Sequence, residues 1–317
     1  MKVSVIVPCY NVAKVIAPLM RSIESQDYED FEVIFVNDGS KDETGTVLRT
    51  FCEKDTRYRI VEKENGGVGS ARNAGLEVAQ GELIFFVDGD DEIFPETISK
   101  MAGLMTEGVD IAVGAFINTD GTRIEFPEME DRDRWLRVTM TKGGLTLWNK
   151  MFRRSIIEGN KIRFDTTTKK SEDHLFTAEY LCHSEGRIAV TSYAVYKYVE
   201  NPMSASNISG TTRTFAPWIA DGVHTSIKIY RLLEPKLSSG TLRELRYDSY
   251  HKYRRARHSA KKLHCTDKAF YEGLHREMRS IMPEWEMAFF AVRRRVSIIG
   301  KSLGKKIRRA IGRKQES

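Results

Sequence analysis

The chain has 317 residues, of which 41% are hydrophobic and 30% charged, and its formal net charge is +6 at pH 7. This composition is typical of a globular protein that buries a core, in one large domain or a domain plus an appendage. No run approaches the roughly 20 apolar residues of a membrane-spanning helix, and Pro8 interrupts the apolar start too early for a secretory signal. Four cysteines without paired spacing argue against a disulfide framework and a zinc site, so we expect a cytoplasmic protein.

The first ninety residues alternate between short buried runs and segments with helical spacing of apolar residues. The predicted strands are Lys2–Val7, Phe31–Val36, Tyr58–Val61 and Leu83–Val87. The predicted helices are Asn11–Gln26, Asp42–Cys52 and Val68–Ala79. Such alternation predicts an α/β fold, with a mostly parallel central sheet, right-handed crossovers and helices on both faces.

The alternation continues to about residue 210 and then stops. The further predicted elements are a helix at Pro95–Leu104, strands at Val109–Phe116, Leu145–Phe152 and Ile188–Tyr198, and a helix for which Ser171 is the N-cap. Beyond Thr214 the pattern is helical throughout. We therefore expect an α/β domain over residues 1–210, a helical accessory region over 211–286 and a basic amphipathic helix over 287–317.

A cluster of acidic residues directly follows the predicted central strand, in the sequence GELIFFVDGDD. Asp88, Asp90 and Asp91 lie within four positions, so their carboxylates crowd together in a tight turn. Like charges this close disfavour ionisation, whereas a divalent cation bound through oxygen would keep the carboxylates ionised. A solvated acidic turn without a ligand is the alternative interpretation.

Polar residues also follow the neighbouring strands, and ligands of parallel sheets bind beyond the carboxyl ends of the strands. Tyr10 could stack on a base, and Asp38 could accept from a uracil N–H or a ribose hydroxyl, or merely close a turn. The loop ENGGVGSARN lacks the lysine of a P-loop, which leaves Arg72 as a phosphate partner or as part of a solvated helix face.

Glu172 and Asp173 lie in the first turn of a later predicted helix. The helix dipole alone favours acids there, which is the structural interpretation. It also favours the ionised carboxylate that a general base requires.

Together PCYN, VNDGS, GGVGSARNAG, FFVDGDD and SEDHLF, in this order, resemble the inverting family 2 glycosyltransferases of the GT-A fold over roughly residues 1–205. The resemblance implies that residues 1–110 bind a nucleotide-sugar, most often UDP-linked, and that residues 111–210 bind the acceptor. The residues that it assigns to the nucleotide are Pro8, Tyr10, Asp38, Asn65, Arg72 and Asp88. It assigns Asp88 and Asp90 to Mn²⁺ or Mg²⁺, and Asp173 to the catalytic base.

The implied reaction is metal-dependent, inverting transfer of a hexosyl or N-acetylhexosaminyl group to a hydroxyl of a cell-envelope glycan, a teichoic acid or a lipid-linked acceptor. The Gln-x-x-Arg-Trp motif of processive synthases is absent from the sequence, which indicates a single addition or a short run. Tyr198, Glu200 and Asn201 stand where many relatives carry an Arg or His near the diphosphate. Residues 148–150 match a stretch that precedes the acceptor site in relatives, although for Trp148 we favour a packed core strand.

Two other classes of function stay open. The chain could be a nucleotide- or nucleic-acid-binding module that has the fold without the chemistry; such a module would not need Asp90 and Asp173. It could also be a nucleotidyltransferase, but these normally carry a basic, glycine-rich loop after the first strand, where this chain has PCYN.

The last thirty residues are strongly basic and carry a stripe of apolar residues every three or four positions. That stripe consists of Val292, Val296, Ile299, Leu303, Ile307 and Ile311. The pattern predicts a helix that lies on an anionic membrane surface, at the inner face of the cell membrane, or one that packs on the body of the protein. We expect no nucleic-acid partner, because no aromatic residues interleave with the charges.

Overall fold

A computed structural model of the protein describes residues 1–139, 144–201, 215–262 and 267–291. Over these ranges the chain forms a nine-stranded mixed sheet surrounded by helices, followed by a helical region. The expected α/β class with C-terminal helices is confirmed.

The first half of the sheet is parallel, as predicted. Its strands are β1 (Val3–Cys9), β2 (Phe31–Asp38), β3 (Tyr58–Lys63) and β4 (Leu83–Phe86), in the order β3-β2-β1-β4. The helices between them are α1 (Ala17–Glu24), α2 (Thr44–Cys52) and α3 (Val68–Val78). Every residue of β2 and β4 is buried, which explains why these strands are continuous apolar runs rather than alternating ones.

The second half of the sheet is mixed, in the order β8-β6-β9-β5 with β7 beside β6. Its elements are β5 (Glu92–Ile93), α4 (Thr97–Leu104), β6 (Val109–Ile117), β7 (Arg123–Ile124), α5 (Arg132–Thr139), β8 (Lys150–Arg153), α6 (Arg154–Gly159), α7 (Glu172–His183) and β9 (Arg187–Lys197). Strand β8 is antiparallel to both β4 and β6, whereas β6 and β9 are parallel. Six of the nine strands, namely β1 to β4, β6 and β9, therefore run in one direction, and the sheet is mostly parallel.

The C-terminal region contains α8 (Phe215–Leu233), α9 (Ser239–Lys262) and α10 (Lys268–Arg279), and residues 284–291 are also helical. Helix α8 packs against both α7 and α9, so the helical region joins the α/β domain through α7. None of the helices in the described ranges combines the length and the apolarity that crossing a bilayer requires. The expected boundary near residue 210 and the apolar stripe beyond residue 291 lie outside the described residues.

An aromatic cluster fixes α7 against the sheet beside the end of β4. The rings of Phe164 and Phe176 stack with centroids 4.2 Å apart, and the Phe86 ring meets both edge-on at 5.4 and 5.6 Å. Phe152 of β8 packs against Phe86 and Phe176 as well. All four side chains are almost fully buried, and burying one phenylalanine contributes about 1.5–3 kcal/mol. The start of α7 is therefore held close to the carboxyl end of β4.

Three local expectations need correction. The first helix begins at Ala17 rather than near residue 11, because Asn11 adopts a left-handed φ of 53° in a turn. The strand expected from Leu145 is shorter and begins at Lys150. Ser171 does occupy the N-cap position of α7, but its φ of 62° is left-handed rather than the usual extended value, and its side chain forms no capping hydrogen bond.

Candidate active site

The carboxyl ends of β2, β1 and β4 lie side by side, which brings together the polar residues that follow them. Tyr10, after β1, has 46% of its surface exposed, and Pro8 is half-buried. Asp38 ends β2, and the acidic turn (residues 88–91) follows β4. The predicted clustering of Tyr10, Asp38 and the acidic turn at one edge of the sheet is thus seen in the structure.

Asp38 holds the glycine-rich loop in place. Its carboxylate, only 2% exposed, accepts from Lys63 Nζ at 2.6 Å and from the backbone N–H groups of Gly66 and Gly67 at 3.0 and 2.8 Å. Asn65 is exposed and donates through Nδ2 to the backbone carbonyl of Asp38 at 2.9 Å. Hydrogen bonds thus join the two predicted nucleotide residues, Asp38 at the end of β2 and Asn65 in the loop before α3.

Arg72 on α3 bridges the acidic turn and the first turn of α7. Its Nη2 donates to Asp88 Oδ1 and its Nη1 donates to Glu172 Oε1, each at 2.8 Å. The guanidinium also lies 5.3 Å from the ring centroid of Phe164, and Arg72 is only 4% exposed. The structure places the Arg72 side chain between two carboxylates rather than on a solvated helix face, and its predicted contact with the nucleotide stays a prediction.

The charges of this bridge affect one another. Although burial opposes it, the Asp88 and Glu172 carboxylates raise the pKa of Arg72. Burial and the neighbouring Asp173 raise the pKa of Glu172, against the lowering effect of Arg72. Arg72 therefore offsets part of the effect of burial on Glu172.

The remaining acids of the turn have different partners. Asp91 is 2% exposed and accepts from the Tyr196 hydroxyl at 2.6 Å and from Val199 N–H at 2.7 Å, while burial raises its pKa to about 8. Asp91 thus anchors the turn to the end of β9. Asp90 accepts from Asn201 Nδ2 at 3.0 Å, and burial together with Asp88 raises the pKa of Asp90.

Asp88 and Asp90 fit a hard divalent cation that is shared with a phosphate ligand. Within the described ranges no Lys, Arg or His forms an ion pair with Asp90, so its charge is balanced less well than that of Asp88. The described residues contain no group of three or more His, Cys, Asp or Glu side chains suited to a metal. Two carboxylates are nevertheless a sufficient protein contribution for Mg²⁺, which usually takes its other ligands from substrate phosphates and water.

Asp173 lies one residue beyond the Arg72 bridge, with 21% of its side chain exposed and one carboxylate oxygen 3.8 Å from His174 Nε2. Lys150, the first residue of β8, is fully buried and donates through Nζ to Asn149 Oδ1 at 2.8 Å and to the Thr146 carbonyl at 2.6 Å. Burial lowers the pKa of Lys150 to about 7, although Asp173 opposes this. The candidate base therefore has a buried amine close by.

Sequence reasoning missed Asn73, and it named Asp91 and Asn201 without the contacts that they make. Asn201, in the segment where relatives carry an Arg or His, contacts Asp90, and Asp91 has a structural role. Asn73 donates through Nδ2 to the Phe164 carbonyl at 2.9 Å and accepts from Phe164 N–H at 2.8 Å, which ties α3 to the loop before α7. Asn73 follows Arg72 directly in the glycine-rich motif, which is the local signal that could have identified it. Trp148, which we expected in a packed core strand, lies instead in the turn before β8, where it is half-buried and packs against Tyr196 with ring centroids 4.5 Å apart.

Residues 4–161 match the model of the family described as glycosyl transferase family 2. The chain belongs to this family. The mixed α/β architecture and the structural similarities below agree with the GT-A fold of family 2.

Several curated relatives are glycosyltransferases by name. The chain is 30% identical to the uncharacterized glycosyltransferase EpsJ of Bacillus subtilis (strain 168), over 65% of this chain and 63% of EpsJ. It is 28% identical to the poly(ribitol-phosphate) beta-N-acetylglucosaminyltransferase TarP of Staphylococcus aureus (strain N315), over 86% of this chain and 84% of TarP. The alignment with EpsJ therefore covers less than two thirds of the length of that relative. Among solved structures, S. aureus TarS 1–349 in complex with UDP-GlcNAc superposes with a TM-score of 0.71 at 25% identity, covering 90% of this chain and 83% of that one.

The bridge leads to a stability prediction. We expect Arg72→Met to lower the free energy of unfolding by about 3–5 kcal/mol, because it leaves the Asp88 and Glu172 carboxylates without their buried partner. The matched control is Arg49→Met, since Arg49 pairs with Glu62 at 2.7 Å with 56% and 46% of the two side chains exposed. The control should change stability by no more than about 1 kcal/mol. Urea unfolding of both variants measures the difference, and equal losses would contradict a special role for Arg72.

Proposed function

We propose that the protein is a metal-dependent inverting glycosyltransferase that transfers a sugar from a UDP-sugar to a hydroxyl of a polyol-phosphate or related cell-envelope acceptor. The observation that carries the proposal is the Arg72 bridge, because one guanidinium contacts both the acidic turn and the helix turn that contains Asp173. A donor diphosphate at the turn and an acceptor hydroxyl at Asp173 would therefore meet across a short gap.

The relatives support the choice of donor and acceptor. TarS binds UDP-GlcNAc in its crystal structure, and TarP is named as a poly(ribitol-phosphate) beta-N-acetylglucosaminyltransferase. By analogy we assign a UDP-linked hexose or N-acetylhexosamine to this chain. The exposed Tyr10 would stack on the uracil, and the loop held by Asp38 would line the rest of the nucleotide site.

In the proposed reaction Asp173 accepts the proton of the acceptor hydroxyl. The acceptor oxygen forms a bond to the anomeric carbon on the face opposite the diphosphate, the bond from that carbon to the diphosphate oxygen breaks, and the configuration inverts. A bound Mg²⁺ or Mn²⁺ would stabilise, as a Lewis acid, the negative charge that develops on the leaving diphosphate. Asp88 and Asp90 would hold the ion, and the Arg72–Glu172 pair would keep the start of α7 in position.

The role of Asp173 is tested by Asp173→Asn. We expect the variant to lose about 10²–10⁴ in kcat because the amide cannot accept the proton. Its affinity for UDP, measured by calorimetry, should stay unchanged. Glu179→Gln, on the same helix, is the matched control and should keep normal turnover. A near-normal rate for Asp173→Asn would remove Asp173 from the reaction, and UDP binding without any turnover in the native chain would indicate a binding module.

The metal is tested by EDTA and by Asp90→Asn. We expect EDTA to abolish transfer and Mn²⁺ or Mg²⁺ to restore it, because the charge on the leaving diphosphate is then stabilised again. The Asp90→Asn variant should bind Mn²⁺ poorly. The electron paramagnetic resonance signal of free Mn²⁺ should therefore persist when the variant and UDP are added. The control Glu92→Gln removes a carboxylate that pairs with Lys197 at 2.7 Å and should bind Mn²⁺ normally. Full activity in EDTA would show that the acidic turn is only structural.

A membrane-facing surface is also part of the proposal. Trp285 and Phe289 are 70% and 46% exposed and lie one turn apart in the helical residues 284–291, which lead into the basic tail of the sequence. Aromatic rings next to basic residues favour an anionic bilayer surface. We expect the protein to co-sediment with phosphatidylglycerol vesicles at low salt, and Trp285→Ser together with Phe289→Ser to weaken this. Equal sedimentation with neutral phosphatidylcholine vesicles would contradict an electrostatic attachment.

A further inference from the structure

The hydroxyl of Tyr196, next to the end of β9, contacts both ends of the acidic turn. It donates to Asp91 Oδ2 at 2.6 Å and accepts from the backbone N–H of Asp88 at 3.1 Å. Tyr196 is fully buried, so water does not compete for these hydrogen bonds. One side-chain oxygen from a distant strand therefore joins the first and the last residue of the turn that contains Asp90.

The turn itself is tight. The N–H of Asp91 donates to the Asp88 carbonyl at 3.2 Å, which is the hydrogen bond that closes a β-turn. A Cβ added to Gly89 would lie 3.2 Å from the Pro8 carbonyl oxygen, so the turn fits closely against the end of β1. Val199 N–H donates to Asp91 Oδ1 at 2.7 Å. Both carboxylate oxygens of Asp91 are therefore engaged by β9 and the residues after it.

Stacking fixes the ring that carries the hydroxyl. Tyr196 stacks on Trp148 with ring centroids 4.5 Å apart and ring planes inclined by 24°. Trp148 also stacks on Tyr198 at 6.2 Å and meets Phe116 edge-on at 4.7 Å. Aromatic pairs in these arrangements attract one another beyond the effect of burial alone. The position of the Tyr196 hydroxyl is thus set by packing that lies outside the turn.

A second buried tyrosine shows the ordinary structural use of such a hydroxyl. Tyr180 of α7 is also fully buried, donates to the Asp110 carbonyl at 2.5 Å and accepts from the Arg153 N–H at 3.0 Å. Both partners of Tyr180 are backbone groups of the sheet, whereas the partners of Tyr196 belong to the acidic turn. The two tyrosines match in burial and in hydrogen bonding, and they differ in what they hold.

The shape of the turn matters for a cation because Asp88 and Asp90 must be directed at the same point. Mg²⁺ requires nearly ideal octahedral geometry with short bonds to oxygen. Residues that orient metal ligands without touching the metal commonly change its affinity by about 10–100-fold. Tyr196 fixes the backbone of Asp88, and Arg72 fixes its carboxylate. Asp90 lies inside the turn that these contacts hold.

We propose that Tyr196 is a positioning residue for the divalent cation. Its hydroxyl keeps the acidic turn in the shape in which the carboxylates of Asp88 and Asp90 are directed at one ion, and it holds Asp91 away from that ion. The cation belongs to the proposed function, and the inference rests on that function. The inference adds that the affinity for the cation depends on a buried side chain of β9 that is not one of its ligands.

The test compares Tyr196→Phe with Tyr180→Phe in the full chain, with Mn²⁺ as the probe. Each substitution keeps the buried ring and removes one hydroxyl that forms two hydrogen bonds. We expect Tyr196→Phe to raise the Kd for Mn²⁺ in the presence of UDP about 10–100-fold, measured by the electron paramagnetic resonance signal of free Mn²⁺. Tyr180→Phe is the matched control and should stay within about twofold of the native chain, because its partners lie outside the turn.

Urea unfolding and the dependence of transfer on Mn²⁺ complete the test. Both variants should lose stability to a similar extent, because each leaves buried polar groups without a partner. In Tyr196→Phe, saturating Mn²⁺ should restore the native kcat, because the tyrosine orients the ligands and takes no part in the reaction. A loss of kcat that saturating Mn²⁺ does not restore would overturn the inference.

The outcomes for Mn²⁺ binding separate this inference from the proposed function. If the native chain binds Mn²⁺ and Tyr196→Phe binds it equally well, the inference alone is overturned. Equal weakening in both variants also overturns it, because the effect would then come from general destabilisation. If the native chain binds no Mn²⁺, the metal dependence in the proposed function fails and the inference fails with it.

Discussion

A buried guanidinium connects the two parts of this molecule on which the chemistry depends. Arg72 joins Asp88, sixteen residues away, and Glu172, one hundred residues away, and it does so from a position with almost no contact with solvent. Removing one partner of a buried ion pair leaves an uncompensated charge at high cost in free energy. The acidic turn and the start of α7 therefore cannot separate readily. The phenylalanine cluster and the Asn73–Phe164 hydrogen bonds hold the same geometry by packing and by backbone contacts.

The three acids of the turn have different partners because of this arrangement. Asp88 is engaged by Arg72, and Asp91 is buried against Tyr196 and the backbone after β9. Asp90, which lies between them, accepts from the amide of Asn201 and forms no ion pair with a Lys, Arg or His in the described ranges. We therefore propose that Asp90, together with Asp88, attracts the cation. Arg72 of α3 thus holds the turn at Asp88, and the end of β9 holds it at Asp91.

Much of the fold could be predicted from the sequence, because buried parallel strands are short continuous apolar runs whose polar ends mark one edge of the sheet. The strands β1 to β4 and the clustering of Tyr10, Asp38 and Asp88 follow from that rule.

The burial of Arg72 could not be predicted, because an arginine on a helix face looks the same in the sequence whether its partner is a phosphate or a carboxylate one hundred residues away. The antiparallel direction of β8 depends on where the preceding chain crosses the sheet. The left-handed φ of Asn11 depends on contacts with the next loop, where Ser40 accepts from its N–H and Lys41 donates to its side chain.

The most direct measurement is a crystal structure of the Asp173→Asn protein with an intact UDP-sugar and Mn²⁺. The account predicts that the diphosphate lies over the acidic turn with Mn²⁺ on Asp88 and Asp90. It also predicts that Arg72 still contacts Asp88 and Glu172, and that residue 173 faces the anomeric carbon from the side opposite the diphosphate. A nucleotide bound at another edge of the sheet, or an anomeric carbon turned away from residue 173, would contradict it.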